Sequence, residues 1–399
     1  MYKRLNKNDK ETIIANSNGV RYVLNTYTYA ALSVDPQDPL FCVSVSNNSF
    51  SIDLWTGCLL NCAYCHVQGC YYDLCSGGKT FSMCHKPVRR NSASVKEVVE
   101  ALVKFRGFIP HYSPISICTS STEPFLNDEV TESTLEIMEC FAELGYKNPF
   151  WIVTKIGGID CKWRERMQNI LAHGNKLLLS VCWTNNDPRI EPHTADRFRN
   201  LQWLADEGVI LNWYMRPLVD DWNASDENLR YIMEYVRSTG LPFTSIAAGG
   251  LRWTEGIEFG MKELHHLPMP ELLKKDNKKT LHSSTIESIK RLHAEILPEI
   301  PLFFKSSCCL SHALGIPNLN ALYLTDGEDH CRNCPEQQAR LCRRARDSFD
   351  RERAEEYLRQ KGLNVCVEQD PEEPVLRITG RSYEDTYIGL KYLTRYITV

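Results

Sequence analysis

Three cysteines near the start of the chain have the spacing of an iron–sulfur ligand loop. Cys58, Cys62 and Cys65 read C-x3-C-x2-C within the stretch DLWTGCLLNCAYCHVQGC, which ends at Cys70. Three thiolates on a short loop suit three corners of a [4Fe–4S] cube, whereas a structural zinc site has four closed protein ligands. The spacing therefore predicts a cube with one iron open to a cofactor or substrate. The alternatives are zinc, with His66 or Cys70 as fourth ligand, and buried thiols without a metal.

A second group of cysteines lies between residues 301 and 345, where an adjacent pair precedes a C-x2-C-x7-C pattern. One cysteine of the pair and the three later ones give four thiolates, enough for a closed zinc site or a fully ligated cube. We predict an auxiliary [4Fe–4S] cluster, with zinc as the alternative metal. Its ligands would be Cys309, Cys331, Cys334 and Cys342, although Cys308 is an equal candidate and His312 and His330 are alternatives.

The composition limits the compartment and the class of partner. The chain has 399 residues, 17 cysteines and a net charge of −4. The polar start has no run that resembles a signal peptide, and no stretch approaches eighteen apolar residues. We therefore expect a cytoplasmic protein without a membrane partner, with reduced, metal-binding thiols rather than disulfides. The charge does not indicate a globally basic nucleic-acid binder.

Alternating β-prone and helix-prone segments must position the first cysteine loop. Six apolar runs lie between residues 48 and 250, namely SFSIDLW, SPISICT, PFWIVTK, KLLLSVCW, VILNWYMRPL and PFTSIAA. Five helical patterns separate them, and four of these end in a glycine: Gly145, Gly174, Gly208 and Gly240. The alternation predicts an α/β fold with a parallel sheet, wound as a partial (β/α)6 TIM-type barrel. Function in such folds lies on loops after the strands.

The remaining pattern suggests how the chain is divided. We predict an N-terminal extension at 1–47, the partial barrel at 48–255, and a helical connection at 256–300. A small cysteine-rich α+β domain with the auxiliary cluster would follow at 301–399. The strand pair NVCVEQ and VLRIT and a last helix, YEDTYIGLKYLTRY, would close the chain.

The cysteine loop resembles the signature of the radical S-adenosylmethionine superfamily. That signature is C-x3-C-x2-C with an aromatic residue before the last cysteine, here Tyr64. The resemblance covers roughly residues 48–250. It implies that the open iron chelates S-adenosylmethionine, with Tyr64 near the adenine. Reductive cleavage would give methionine and a 5′-deoxyadenosyl radical, which abstracts hydrogen from a substrate.

Other motifs are similar to the spore photoproduct lyase branch of that superfamily. CAYCHVQ keeps the Gln of the branch at Gln68 but has His66 in place of an aromatic residue. CTSSTEP resembles a Cys-Thr-Ser-Asp segment of the lyase, which implies that Cys118 is a catalytic hydrogen donor. The acid of that segment is displaced, and Glu123 is the candidate cofactor-binding residue. The alternative for Cys118 is a small apolar core residue.

Polar residues on later strands would complete the cofactor site. In the lyase branch a Lys and a Ser at the ends of the third and fourth strands hold the carboxylate of the cofactor, which assigns that role to Lys155 and Ser180. Superfamily members often place a basic residue on the fifth strand, and Arg216 in YMRPL matches it. Asp220 and Asp221 are alternative partners for Arg216, because a buried arginine needs an anion.

The second cysteine group is a departure from the lyase, which lacks it, and argues against DNA repair. We expect a lyase or oxidoreductase-type enzyme acting on a small-molecule or peptide substrate, with flavodoxin or ferredoxin as electron donor. The alternative is a photoproduct-lyase-like nucleic-acid repair or modification enzyme that uses Cys118, which the basic KPVRR stretch favours. A third interpretation is a non-enzymatic iron–sulfur or zinc module.

Overall fold

The computed structural model describes most of the chain between residues 30 and 398, with short strands before it. The described residues are 3–4, 13–16, 19–22, 30–46, 48–65, 86–118, 121–157, 159–191, 197–220, 222–251, 257–258, 260–267, 281–320, 331, 334–347, 350–364, 366–369, 375–379, 384–395 and 397–398. Within them no helix is both long and apolar enough to cross a bilayer. No disulfide bond links any of the fourteen described cysteines.

Strands and helices alternate through the central part of the chain. The strands are β1 (Lys3–Arg4), β2 (Ile13–Asn16), β3 (Gly19–Tyr22), β4 (Ala30–Ala31), β5 (Val43–Val45), β6 (Phe50–Ile52), β7 (Trp55–Thr56), β8 (Val88–Arg89), β9 (Ile115–Ile117), β10 (Phe150–Thr154), β11 (Leu177–Cys182), β12 (Ile210–Leu218), β13 (Phe243–Gly250), β14 (Leu302–Phe303), β15 (Cys366–Gln369), β16 (Val375–Thr379) and β17 (Ile397–Thr398). The helices are α1 (Val95–Lys104), α2 (Asp128–Glu143), α3 (Arg164–Ala172), α4 (Leu201–Asp206), α5 (Asp226–Ser238), α6 (Ser283–Ile296), α7 (Ser306–Leu314), α8 (Glu336–Asp347), α9 (Arg351–Gln360) and α10 (Glu384–Thr394).

A ten-stranded sheet organises the molecule, in the order β1-β4-β5-β6-β9-β10-β11-β12-β13-β14. From β6 to β14 every neighbouring pair is parallel, and the strands follow each other in chain order. β1, β4 and β5 extend one edge with antiparallel pairing. The order does not reverse in the parallel part, unlike that of a doubly wound sheet. The predicted α/β fold with a mostly parallel sheet is confirmed.

The two faces of the sheet carry different partners. On one face Ile152, Leu179 and Trp213 belong to a continuous core with the apolar residues of α1 to α6. On the opposite face, which we call the inner face, Trp151 and Leu178 pack against Leu310 of α7 and its neighbours. Both faces of the central strands are thus covered, which explains their nearly continuous apolar sequence.

The parallel sheet extends beyond the predicted barrel segment. Each of the six predicted runs overlaps one of the strands β6 and β9 to β13, and β13 continues two residues past its run. Strand β14 was not predicted and pairs with β13 at Ile246–Leu302 and Ala247–Phe303. The predicted C-terminal strand pair is found as β15 and β16, which are antiparallel, and the last helix as α10. The division into domains stays a prediction.

Local signals define the helix boundaries. Ser94 and Glu97 form a reciprocal capping box at the start of α1, and Asn127 caps α2 through the backbone N–H of Val130. The four predicted terminal glycines all adopt the left-handed backbone conformation after a helix, with φ between 66° and 92°. They place the loops that return the chain to the next parallel strand.

Candidate functional site

The first cysteine loop begins at a strand end and is anchored to two other strand ends. It follows β7, which pairs with β8. The Gly57 N–H donates to the carbonyl of Ser121 after β9 at 3.1 Å, and the Ala63 N–H donates to the carbonyl of Ile190 after β11 at 2.8 Å. Gly57 has a φ of 102°, a conformation that strains a residue with a side chain. The sheet therefore holds the loop at the carboxyl end of its parallel strands.

The three cysteines of the loop differ in exposure. Cys62 is buried, and Cys58 and Cys65 are half-buried. Burial raises the pKa of Cys62 well above its usual value, opposed by the ammonium of Lys155, while nearby acidic and thiol groups raise it further. A bound cation would reverse this effect, because metal coordination favours the thiolate. The donor set of three closely spaced thiols beside a cationic side chain fits an anionic cluster with an open position.

Tyr64 and Lys155, predicted from different parts of the sequence, lie in direct contact. The Lys155 Nζ atom donates to the Tyr64 hydroxyl at 2.6 Å and lies 4.7 Å from the centre of its ring. The Tyr64 hydroxyl donates in turn to Glu191, whose other carboxylate oxygen is 3.5 Å from the Lys155 ammonium. The cysteine loop is thus joined through side chains to the end of β10 and to the loop after β11.

Glu191 and Arg197 form a buried ion pair beside this contact, and the sequence analysis missed both. Each side chain is only 2% exposed. Arg197 also donates to the carbonyl of Cys182 at 2.5 Å, and the Asn186 amide donates to Glu191 at 3.0 Å. Burial raises the pKa of Glu191, opposed by the charge of Arg197. The sequence signal that could have identified Glu191 is its position in the loop after the fourth strand, where barrel enzymes carry functional groups.

Glu123 joins the loop after β9 to the end of β10. Its carboxylate accepts hydrogen bonds from the Thr154 hydroxyl and, at 3.0 Å, from the backbone N–H of Lys155. The side chain is buried, which raises its pKa, while the bond from Thr154 and then that from Lys155 lower it. These contacts bring Glu123 to the backbone of Lys155 and help to set the direction in which Lys155 leaves the strand. The role of Glu123 in cofactor binding stays a prediction.

Ser180 lies two residues before the end of β11, which continues to Cys182, so its predicted position at the strand end is wrong. Its hydroxyl accepts from the Trp151 indole at 3.0 Å and donates to the Asn212 side chain at 3.0 Å. Asn212 donates onward to Ser245 at 2.9 Å. The four residues form a buried polar row across the inner face, in which the hydroxyl of Ser180 donates one hydrogen bond and accepts another. Its role in cofactor binding stays a prediction.

Arg216 lies on the inner face of β12, one row from Tyr214. Its guanidinium donates to the Tyr214 hydroxyl at 3.1 Å. It passes so close to Gly249 that a Cβ atom there would lie 2.6 Å from its Nε atom. Asp220, a predicted alternative partner of Arg216, instead accepts a hydrogen bond from the hydroxyl of Thr285. Among the described residues, no ion pair of Arg216 with a carboxylate is found.

Cys118 follows β9 with a φ of 55° and is buried in the main core. Burial raises its pKa well above the usual value, and a hydrogen bond with Thr134 of α2 opposes this shift. Side chains of a strand alternate between its two faces, and the left-handed conformation of Cys118 interrupts this alternation. Its side chain therefore lies in the same core as that of Ile117. The contacts found for this thiol are those of a core residue, and hydrogen donation stays a prediction.

The second cysteine group includes residues at the start of α7, before α8 and in the middle of α8. The N–H of Cys334 donates to the carbonyl of Cys331 at 3.0 Å, which forms the turn of the C-x2-C pair. Cys342 is buried on α8. Burial raises the pKa of Cys308 well above its usual value, and the charges of the four other cysteines of the group raise it further. The five predicted cysteines are therefore brought together.

Several predicted candidates lie outside the described residues. They are His66, Gln68, Cys70, Asp221 and His330. Among the residues that are described, no three cysteine, histidine or carboxylate side chains converge on a single ion. The cysteines of a cube each bind a separate iron.

No family model matches the chain, and no curated protein matches it either. The functional assignment rests on the residues and on the geometry around them.

Proposed function

We propose that the chain is a radical S-adenosylmethionine enzyme of lyase or oxidoreductase type, acting on a small-molecule or peptide substrate. The observation that carries the proposal is the contact of Tyr64 with Lys155 and Glu191 beside Cys62. Three cysteines with the spacing of an open cube are thereby joined to a cation at the carboxyl end of a parallel strand. The sequential strand order further supports a partial (β/α) barrel, in which that end carries the active site.

In this proposal Cys58, Cys62 and Cys65 hold the cluster. When bound, the cluster supplies the electron that cleaves S-adenosylmethionine to methionine and a 5′-deoxyadenosyl radical. The Lys155 ammonium attracts the cofactor carboxylate, since an amine and a carboxylate form a charge-assisted hydrogen bond. Tyr64 holds that ammonium in place, and the resemblance implies that it would lie near the adenine of the bound cofactor. Flavodoxin or ferredoxin of the cytoplasm would deliver the electron.

Arg216 suits a second anionic group. Its guanidinium is half-buried on the inner face and, among the described residues, pairs with the neutral Tyr214 hydroxyl. A partly buried guanidinium gains most from an anionic partner. We assign Arg216 to the carboxylate of the cofactor or of the substrate. Ser180 and Glu123 support the site from the strands beside it, and an auxiliary cluster on the second cysteine group completes the cofactor set.

Cofactor cleavage tests the proposal. The chain is reconstituted with iron and sulfide without oxygen, reduced with dithionite and mixed with S-adenosylmethionine, and 5′-deoxyadenosine is measured by liquid chromatography. We expect product from the native chain and from Cys161→Ala, which alters an exposed cysteine outside the site. We expect none above background from Cys58→Ala. Equal product from the native chain and Cys58→Ala would exclude the proposal.

A nucleic-acid substrate is the competing function. Arg89 and Arg90 of the basic stretch lie over the rings of Trp55 and Phe41, at 5.4 Å and 4.9 Å from the ring centres. These contacts hold both guanidinium groups against aromatic rings, and both keep their positive charge. Binding to DNA or RNA that weakens steeply with salt would favour the competing function.

A further inference from the structure

The adjacent cysteines of α7 face different surroundings. Consecutive residues of a helix point about 100° apart, so Cys308 and Cys309 cannot both face one ligand position. Cys309 is 1% exposed, whereas Cys308 is half-buried. The structure therefore distinguishes two residues that the sequence leaves equivalent.

Cys309 faces the sheet. Its thiol lies 3.6 Å from the carbonyl of Ile246 on β13 and packs with Ala247 and Phe303. The Ser245 side chain also forms a hydrogen bond with this thiol. The Cys309 side chain is thus enclosed between α7 and the inner face of the sheet.

Cys308 faces the other cysteines. The Asn318 side-chain amide donates to the Cys308 sulfur at 3.2 Å, and the backbone N–H of the same Asn318 donates to the Cys342 sulfur at 3.3 Å. One residue therefore spans the two sulfurs. Cys308 and Cys334 also lie together at the edge of the apolar group that contains Cys309. These contacts join Cys308 to α8 and to the C-x2-C turn.

We infer that Cys308, Cys331, Cys334 and Cys342 are the four ligands of a closed [4Fe–4S] cluster on the inner face of the sheet, and that Cys309 fastens α7 to the sheet. The inference rests on the auxiliary cluster of the proposed function and names its fourth ligand. Asn318 supplies hydrogen bonds to two of the ligand sulfurs. Such bonds stabilise thiolate charge and tune the reduction potential of a cluster.

The metal content of paired variants tests this assignment. The starting protein is the full chain with Cys58→Ala, Cys62→Ala and Cys65→Ala, which removes the first site and leaves the second. After anaerobic reconstitution we expect about four irons and four sulfides per chain. Adding Cys308→Ser should remove at least a quarter of that iron and change the electron paramagnetic resonance spectrum. Adding Cys309→Ser at the neighbouring position should change neither.

Each other result overturns the assignment. Loss of iron with Cys309→Ser and not with Cys308→Ser would make Cys309 the ligand, and equal content in both variants would exclude Cys308. Zinc at about one ion per chain would overturn the cube. No metal in the starting protein would overturn the site itself. Circular dichroism verifies folding, with Cys309→Ala as a second variant if the serine fails to fold.

The reduction potential gives a second readout. Asn318→Ala removes the side-chain donor to Cys308 and keeps the backbone donor to Cys342, so we expect the potential to become more negative while the iron content is retained. An unchanged potential would contradict the contact between Asn318 and a ligand sulfur. Cofactor cleavage is measured separately on the chain with its first site intact, so failure of the proposed function and failure of this assignment give different results.

Discussion

The side chain of Tyr64, in the cysteine loop, contacts residues at the end of β10 and in the loop after β11. It donates to Glu191 and accepts from Lys155, and Arg197 neutralises the same carboxylate. The loop is therefore held by two charged groups that lie far apart in sequence. Because both charges of the Glu191–Arg197 pair are almost fully buried, each residue depends on the other.

A double-mutant cycle on the buried pair tests this dependence. Glu191→Gln keeps the polar contacts of the side chain but leaves Arg197 unpaired, so we expect the free energy of unfolding to fall by about 3–5 kcal/mol. Glu191→Gln with Arg197→Met should cost clearly less than the sum of the single changes. Unfolding in urea provides the measurement. Arg230→Met, which breaks an exposed pair with Glu295, serves as control and should cost under about 1 kcal/mol. Strictly additive costs would argue against the coupling.

The carboxyl of Glu123 should make stability depend on pH. Burial raises its pKa in the folded chain, so the folded state keeps a proton that the unfolded state has lost. Between the usual pKa and the raised one, unfolding therefore releases a proton. The contribution of this group to stability falls as pH rises through that range. The difference in unfolding free energy between the native chain and Glu123→Gln should show this fall. A difference that rises with pH would contradict the assigned direction.

At the scale of elements, the loop after β7 depends on the loops after β9 and β11. Gly57 and Ala63 donate to them from the backbone, and these two hydrogen bonds help to position the cysteines. The sequence predicts Lys155 at the end of the third strand, and β10 ends at Thr154, directly before it. It places Ser180 at a strand end, which is wrong because the pairing of β11 with β12 continues to Cys182.

A substitution at Gly57 tests whether the backbone geometry there positions the cysteine loop. Gly57→Ala puts a side chain at a φ of 102°, which should cost about 1–2 kcal/mol of stability and lower the iron bound at the first site. Gly208→Ala is a matched control, because Gly208 has a φ of 92° after α4 with no atom near its Cβ position. It should cost a similar free energy and leave the iron unchanged. Equal iron in both variants would show that the loop geometry does not depend on Gly57.

At the scale of the molecule, one parallel sheet carries both cysteine groups. The first lies at the carboxyl end of the strands and the second on the inner face, where α7 contacts β12, β13 and β14. The alternating pattern predicts this sheet and the glycines that end its helices. It does not predict β14, the ion pair of Glu191 with Arg197, or the orientation of Cys308. Each of these depends on contacts between segments that are distant in sequence and is visible only after folding.

The central claim is that the first cysteine group leaves one iron open to S-adenosylmethionine. The most direct test is electron paramagnetic resonance of the reconstituted, dithionite-reduced chain with and without added S-adenosylmethionine, alongside Cys58→Ala. We predict that the cofactor changes the spectrum of the native chain and leaves the spectrum of Cys58→Ala unchanged. A native spectrum that does not respond to the cofactor would contradict an open iron and with it the proposed function.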